Sequence, residues 1–300
     1  MRFVILLLLL SLAGCQRHPA VEQPWEPPPG EQVSRPMSAS LEPGDLEPGG
    51  YTVVLIFNAE APVRVILDLP DAPEPKVFLH GSRGIALVPA GSSTEPGDYK
   101  VRVVSGSGTS SLCVSVRQRN FPTEHLAVSS SLASLRDPGL FEEDHHHTAG
   151  ARAASDERPL WEGNFLMPVE GPITSGFGLV RFVNGVPSGH HSGIDIAAPR
   201  GTPVIAANSG VTVMARELNV SGNTIIIDHG LNVFSAYSHL DEILVERGDV
   251  VKKGRVIGRA GSTGFSTGSH LHWTVSVGPV FVDPLLAVKE GFVVPWPLLD

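Results

Sequence analysis

Cysteine is nearly absent from the 300-residue chain, and its two copies are too few for the disulfide framework on which small secreted domains rely. Aromatic residues make up only 6%, and no apolar run is long enough to span a bilayer core of about 30 Å. Basic residues are also in short supply. Lys and Arg number 22 against 31 Asp and Glu, a net charge of −9, so there is no general basic face to displace phosphate counterions. That balance excludes a general nucleic-acid binder, though not a polyanionic substrate met through a local patch. In the C-terminal half, no segment longer than about ten residues keeps a 3.6-residue apolar period, which argues against a helical fold. What is plentiful is 32 Gly, 26 Pro and 12 His. The first two suit many short strands and turns, and the length suggests about two domains.

Met1 and Arg2 precede a short apolar run that ends in Leu12-Ala13-Gly14-Cys15. The run reads as a signal peptide over residues 1–14. Leu-Ala-Gly-Cys resembles the bacterial lipobox, in which the cysteine becomes the lipidated first residue. The resemblance implies a lipid anchor in the membrane at Cys15. Gln16 follows where an Asp would signal retention, so the implied site is the outer membrane, facing the periplasm, if the host has two membranes. Residues 15–49, rich in Pro, Glu, Ser and Gly without an apolar period, are expected to form a disordered tether.

From residue 50 to 128 the pattern changes to short alternating runs at 51–57, 63–69, 76–79, 84–88, 99–104 and 112–116. In the second run Val63, Val65, Leu67 and Leu69 share one face while Arg64 and Asp68 point the other way, the period of a half-buried strand. An immunoglobulin-like β-sandwich follows as the expectation, with no ligand cluster in it and a role as spacer or targeting module. Residues 129–158 are expected to be a polar linker. It carries Glu142-Glu143-Asp144-His145-His146-His147, whose consecutive side chains diverge and are read as solvent-exposed. The last domain, 159–300, again consists of short strands between glycine-rich turns and is read as compact antiparallel β.

Chemistry concentrates in that last domain. His270 and His272 are two apart in the strand-like run His-Leu-His-Trp-Thr-Val-Ser-Val, so both project from one face. His191 and Asp195 lie four apart with Gly193 between them and can converge if the chain bends into a strand. A catalytic zinc takes three N or O ligands and keeps one position open. His191, Asp195 and one histidine of the later pair would supply that set. His239 follows Tyr237 at a strand end, where a polar group can face a cleft. By contrast His190, adjacent to His191, should point away, and His229 in Asp228-His229-Gly230 reads as a turn residue.

Taken in order, these motifs resemble the lysostaphin-type (LytM-type) zinc metallopeptidases of bacterial cell walls. The series is Ser175-Gly176-Phe177-Gly178 with Arg181, then His191 and Asp195, then Ala198-Pro199 with Gly201-Thr202-Pro203. It continues through Gly222-Asn223, Asp228-His229-Gly230, Tyr237 with His239-Leu240, Gly248-Asp249, and Thr263-Gly264 leading to His270-Leu271-His272. The resemblance implies a LytM-like fold of the duplicated-hybrid-motif type, with Zn2+ held by His191, Asp195 and His272. It implies His239 and His270 as unligated catalytic histidines and peptidoglycan peptides as substrate. Arg181 is a candidate for holding a substrate carboxylate, and Tyr237 a candidate for lining the site. A degenerate relative that activates another cell-wall hydrolase is the competing reading, and a zinc peptidase acting on proteins a third. All five ligand and histidine positions are present, which favours an active enzyme. Protein partners are left unspecified.

Overall fold

The computed structural model describes residues 35–69 and 72–294, so the signal peptide and Cys15 lie outside the described residues. Eight strands form the N-terminal part: β1 (Ser38–Glu42), β2 (Asp45–Leu46), β3 (Tyr51–Phe57), β4 (Arg64–Leu67), β5 (Phe78–His80), β6 (Arg83–Pro89), β7 (Gly97–Ser105) and β8 (Gly108–Val116). They pair in two four-stranded sheets, β1-β3-β6-β5 and β2-β8-β7-β4. The sheets share a core in which Val54, Ile56, Ala86 and Val88 of the first meet Val65, Val101, Val103 and Val114 of the second. Strands β1 and β2 fall within residues 15–49, the stretch expected to be a tether. Their apolar content is only Ala39, Leu41 and Leu46, packed on the sandwich core, and so few alternating positions are too short to register as a period.

The first sheet is buried on both faces. Along β3, Val54 and Ile56 point into the sandwich, while Val53 and Leu55 point the other way into a second core; Ile85 and Leu87 of β6 do the same. That second core also contains Phe165, Phe177, Val277 and Val282 from the C-terminal part. An ion pair and an aromatic stack seal its margin. Arg119 pairs with Asp283 at 2.7 Å, and Tyr51 stacks on Phe292 with ring centres 4.7 Å apart. The two parts therefore share a core across a packed face.

Between them runs β9 (Thr123–Leu126), then α1 (Ser130–Ala133), a 3₁₀ turn (Ser134–Arg136) and α2 (Pro138–Ala151). Asp137 caps α2 by accepting from the Gly139 amide at 2.9 Å, with Pro138 at the first helical position. The stretch read as a linker is thus built structure, packed on the C-terminal part. His145 and His146 are exposed on α2, and His147 lies 3.1 Å from an Arg216 nitrogen.

The C-terminal part contains β10 (Ile173–Ser175), β11 (Val180–Val183), β12 (Val186–His190), β13 (Ile194–Ala197), β14 (Pro203–Ile205), β15 (Gly210–Leu218), β16 (Gly222–Asp228), β17 (Val233–Ile243), β18 (Val250–Val251), β19 (Val256–Ala260), β20 (His270–Val277), β21 (Val280–Val282) and α3 (Pro284–Lys289). The main sheet runs β10-β13-β20-β17-β16-β15-β18, with β14, β19 and β21 attached to it. A small sheet, β12-β11-β9, brings the inter-domain strand β9 in parallel beside β11. No helix among the described residues is long and apolar enough to cross a membrane.

Two outcomes are expected from this packing. Leu87→Ala removes a buried side chain from the shared core and should cost about 2–5 kcal/mol in denaturant unfolding. Probes on both parts should report one common transition; two separated transitions would refute the shared core. His229 is fully buried, with one ring nitrogen 2.7 Å from the Ser209 carbonyl and the other 2.8 Å from the Ser235 hydroxyl. Burial pushes its imidazole down from 6.5 to about 4. The unfolded chain therefore takes up this proton at higher pH than the folded one, and stability falls as pH drops from about 6.5 to about 4. His229→Gln should flatten that limb of the urea-midpoint profile, and an unchanged slope would remove His229 as its cause.

Candidate metal centre and cleft

Strands β13 and β20 pair antiparallel, with Asp195 directly opposite His272 and Ala197 opposite His270. Residues facing each other across such a pair share one side of the sheet, their Cβ atoms about 4.5–5.5 Å apart. The two-residue spacing of His270 and His272 then carries both imidazoles onto the side where Asp195 points. The small Ala197 leaves room beside His270. His191 arrives from the turn after β12, with its backbone N–H bonded to Leu179 and its carbonyl accepting from Gly178.

The donors converge. His191 Nε2 lies 3.1 Å from Asp195 Oδ1 and 3.0 Å from His272 Nδ1, and His272 Nδ1 lies 2.7 Å from the same carboxylate oxygen. A tetrahedral zinc with bonds near 2.0–2.1 Å has ligand–ligand edges of roughly 3.3 Å, so the three atoms need little adjustment to share one ion. His191 Nδ1 donates to the Gly176 carbonyl at 2.8 Å, which leaves the Nε2 lone pair facing the other donors. Burial raises the Asp195 carboxyl, but hydrogen bonds and charge from His191 and His272 outweigh it and hold the group well below the usual range. Burial also lowers His272, and the Asp195 charge opposes that shift. A fixed carboxylate with two imidazoles is a donor set suited to zinc. Gly193 makes the close approach possible: a Cβ there would stand 2.2 Å from the Trp273 carbonyl oxygen on β20.

The other two histidines flank this set. His239 sits where β17 changes partners. Asn223 pairs with Leu240 and Ile225 with Tyr237, so Thr224 alone faces both Ser238 and His239 in a β-bulge. The His239 backbone is left-handed, with φ at +61°, a costly conformation for a non-glycine residue and one that re-aims its side chain. Its Nδ1 donates to the Thr263 carbonyl at 2.8 Å, leaving Nε2 as an acceptor. Burial, followed by the charges of His272 and His270, pushes His239 down to about 3. His270 is oriented in the same way, its Nδ1 donating to the Gly268 carbonyl at 2.8 Å and its Nε2 lying 3.7 Å from Asp195 Oδ1. The His239 and His270 rings are 4.9 Å apart, and all five residues line one cleft of about 510 Å³.

Two sequence candidates have other roles in the structure. Tyr237 does not line the cleft: it is fully buried, and its hydroxyl accepts from the Ala207 amide at 2.8 Å and bonds Ser235. Burial pushes its phenol up to about 12. The alternation along β17 decides this, since Tyr237 lies immediately before the bulge at Ser238 and His239 and faces the core. Arg181 does line the cleft, but its guanidinium is already engaged, by Glu124 at 2.6 Å and by Asp195 Oδ2 at 3.2 Å. It therefore braces Asp195, with its charge balanced by two carboxylates of the chain itself. His190 lies at the rim, bonded to the Gly178 carbonyl at 3.0 Å, outside the donor set.

Sequence reasoning missed two carboxylates. Glu124, on β9 opposite Arg181, also accepts from the Ser175 hydroxyl. Asp144, on α2 and nearly fully buried, accepts from the amides of Asn219 and Val220 at 2.8 Å each and from Ser221 at 3.4 Å. Ser221 in turn accepts from the His239 amide at 2.9 Å, so α2 helps hold the loop on which His239 rests. Neither carboxylate has a local signature; each is one acidic residue in a polar stretch.

Residues 189–284 match the sequence profile of Peptidase family M23. Over 87 residues the chain is 45% identical to the peptidoglycan DD-endopeptidase ShyA of Vibrio cholerae, covering 29% of this chain and 20% of that protein. It is 34% identical over 128 residues to the uncharacterized lipoprotein YgeR of Escherichia coli, covering 42% and 48% respectively. The chain thus spans less than half the length of these curated relatives. A crystal structure from Pseudomonas aeruginosa assigned to peptidase M23 aligns with a TM-score of 0.59 at 29% identity, over 82% of this chain and 95% of that one.

The tight contact at Gly193 yields a test. Gly193→Ala should push the segment carrying His191 and Asp195 off β20 and weaken divalent-metal affinity at least about tenfold. Gly176→Ala, where an added Cβ meets nothing within 4 Å, should leave it unchanged. Metal content measured by inductively coupled plasma mass spectrometry over a chelator series checks both. Equal retention by the two variants would show that the close approach is dispensable.

Proposed function

The chain belongs to peptidase family M23 through residues 189–284, and on that premise we propose that it is a zinc-dependent endopeptidase hydrolysing peptide cross-links or bridges of peptidoglycan. The observation that carries the reading is the convergence of His191, Asp195 and His272 beside two histidines whose Nδ1 atoms are tied to backbone carbonyls outside that set. Bound zinc supplies Lewis-acid polarisation of a carbonyl and lowers the pKa of water to about 7. The chain supplies the remainder. His239 and His270 each have Nδ1 tied to a backbone carbonyl, so each presents Nε2 toward the cleft as a proton acceptor. Between them they take a proton from the attacking water, hydrogen-bond the developing negative charge, and return a proton to the departing amine. Arg181 holds Asp195 in orientation, while His191 and His272 favour its ionised form.

The same reading covers the rest of the chain. The two-sheet sandwich, by its strand order, is taken as an immunoglobulin-like module against which the catalytic part is braced. The anchor at Cys15 holds the enzyme in the cell envelope, at the outer membrane facing the periplasm where two membranes exist. The similarity to a protein named a lipoprotein supports that placement.

Purified sacculi provide the test. The soluble form lacking residues 1–15 should release muropeptides bearing new free amines, and a chelator should stop the release. His272→Ala should lose zinc, whereas His270→Ala should keep zinc and slow by roughly 10²–10⁴. Undiminished cleavage by both variants would refute the site. No cleavage by zinc-loaded protein on several wall types would instead favour a non-catalytic activator of another hydrolase.

A further inference from the structure

Two arginines line the cleft, and their surroundings differ. Arg181 is already paired with two carboxylates, Glu124 and Asp195. Arg136 reaches in from the 3₁₀ turn between the two parts of the molecule. It donates a single hydrogen bond, from Nη1 to the Ser188 hydroxyl on β12, and among the described residues no carboxylate lies within ion-pair distance of it. Its guanidinium carbon stands 5.6 Å from the ring centre of Phe141 in α2 and 5.5 Å from that of Phe265 in the loop before β20. Contact with two aromatic faces restrains the flat cation and leaves the N–H groups in its plane available. Of the five that a guanidinium carries, one is used.

A half-buried arginine without a counter-ion is an unusual arrangement. Burial, and then the like charge of Arg181, both disfavour the Arg136 cation. An anion entering the cleft would offset both effects, and a carboxylate matches the guanidinium fork with two parallel hydrogen bonds. We propose that Arg136 forms a carboxylate-binding subsite of the cleft, so that the turn between the domains, and not Arg181, selects peptide substrates carrying a free carboxylate beside the bond to be cut. The proposal rests on the reading of the cleft as a peptide-hydrolysing site.

Equilibrium binding separates the two ideas. Acetyl-D-alanyl-D-alanine and its C-terminal carboxamide are titrated calorimetrically into the mature full chain, with and without zinc, as wild type, Arg136→Gln and Arg136→Lys. Wild type should bind the acid at least about tenfold more tightly than the amide. Arg136→Gln should lose that preference while amide binding, zinc content and thermal midpoint hold, and Arg136→Lys should retain part of it. The proposal is overturned by an acid preference that survives Arg136→Gln, by an equal loss for both peptides, or by binding of neither. Tighter binding of both peptides to Arg136→Gln would also overturn it, showing that the turn closes the cleft instead of reading anions. An acid preference that depends on Arg136, in a protein that releases nothing from sacculi, would keep the subsite and remove the hydrolytic function.

Discussion

The site depends on one strand pairing. The register of β13 against β20 puts Asp195 across from His272, and a slip of β13 by one residue would send Asp195 to the face opposite His270 and His272. Gly193 lets the incoming segment lie against β20, and the apolar residues between the functional ones hold the register. Ile194, Ile196, Leu271 and Trp273 alternate with the polar positions and are completely buried beneath them. The strands that present the donors are thus anchored by the side chains that do not.

Around this pairing the structure adds supports from distant parts of the chain. Glu124 on β9 orients Arg181, which braces Asp195. Asp144 on α2 ties down the 219–221 loop, and that loop holds the backbone of the strained His239. Both supports come from the region between the domains. The sandwich sheet buried on two faces keeps that region in place, since Val53, Leu55, Ile85 and Leu87 pack into the same core as Phe177. Displacing the N-terminal part would therefore disturb the cleft through β9 and α2, although no sandwich residue is a metal donor.

How much of this was legible in the sequence depended on range. Strands β3 to β8, and most of those after β13, stood out because their side-chain period is local. The histidines and Asp195 stood out because their spacing is short and strand-like. Tyr237 was misplaced because the bulge that starts at the next residue breaks the alternation that would have put it on the same face as His239. Arg181 was legible as a cleft residue, but its role as a brace of Asp195 was not, because its partner Glu124 lies 57 positions away in the chain. Strands β1 and β2 were hidden in a proline-rich stretch with too few apolar positions to show a pattern.

By itself, the sequence determined the β class and pointed to the five residues that the fold gathers in one cleft, because alternation and short spacings act over a few residues. Only the tertiary structure decided which side chains stand beside those five. Arg181 became a brace, Arg136 an open cation, and Asp144 and Glu124 became supports, since hydrogen bonds and ion pairs depend on distances that strand order and register set. A carboxylate in a polar stretch looks the same whether it faces water or holds a loop, until the fold places its partner.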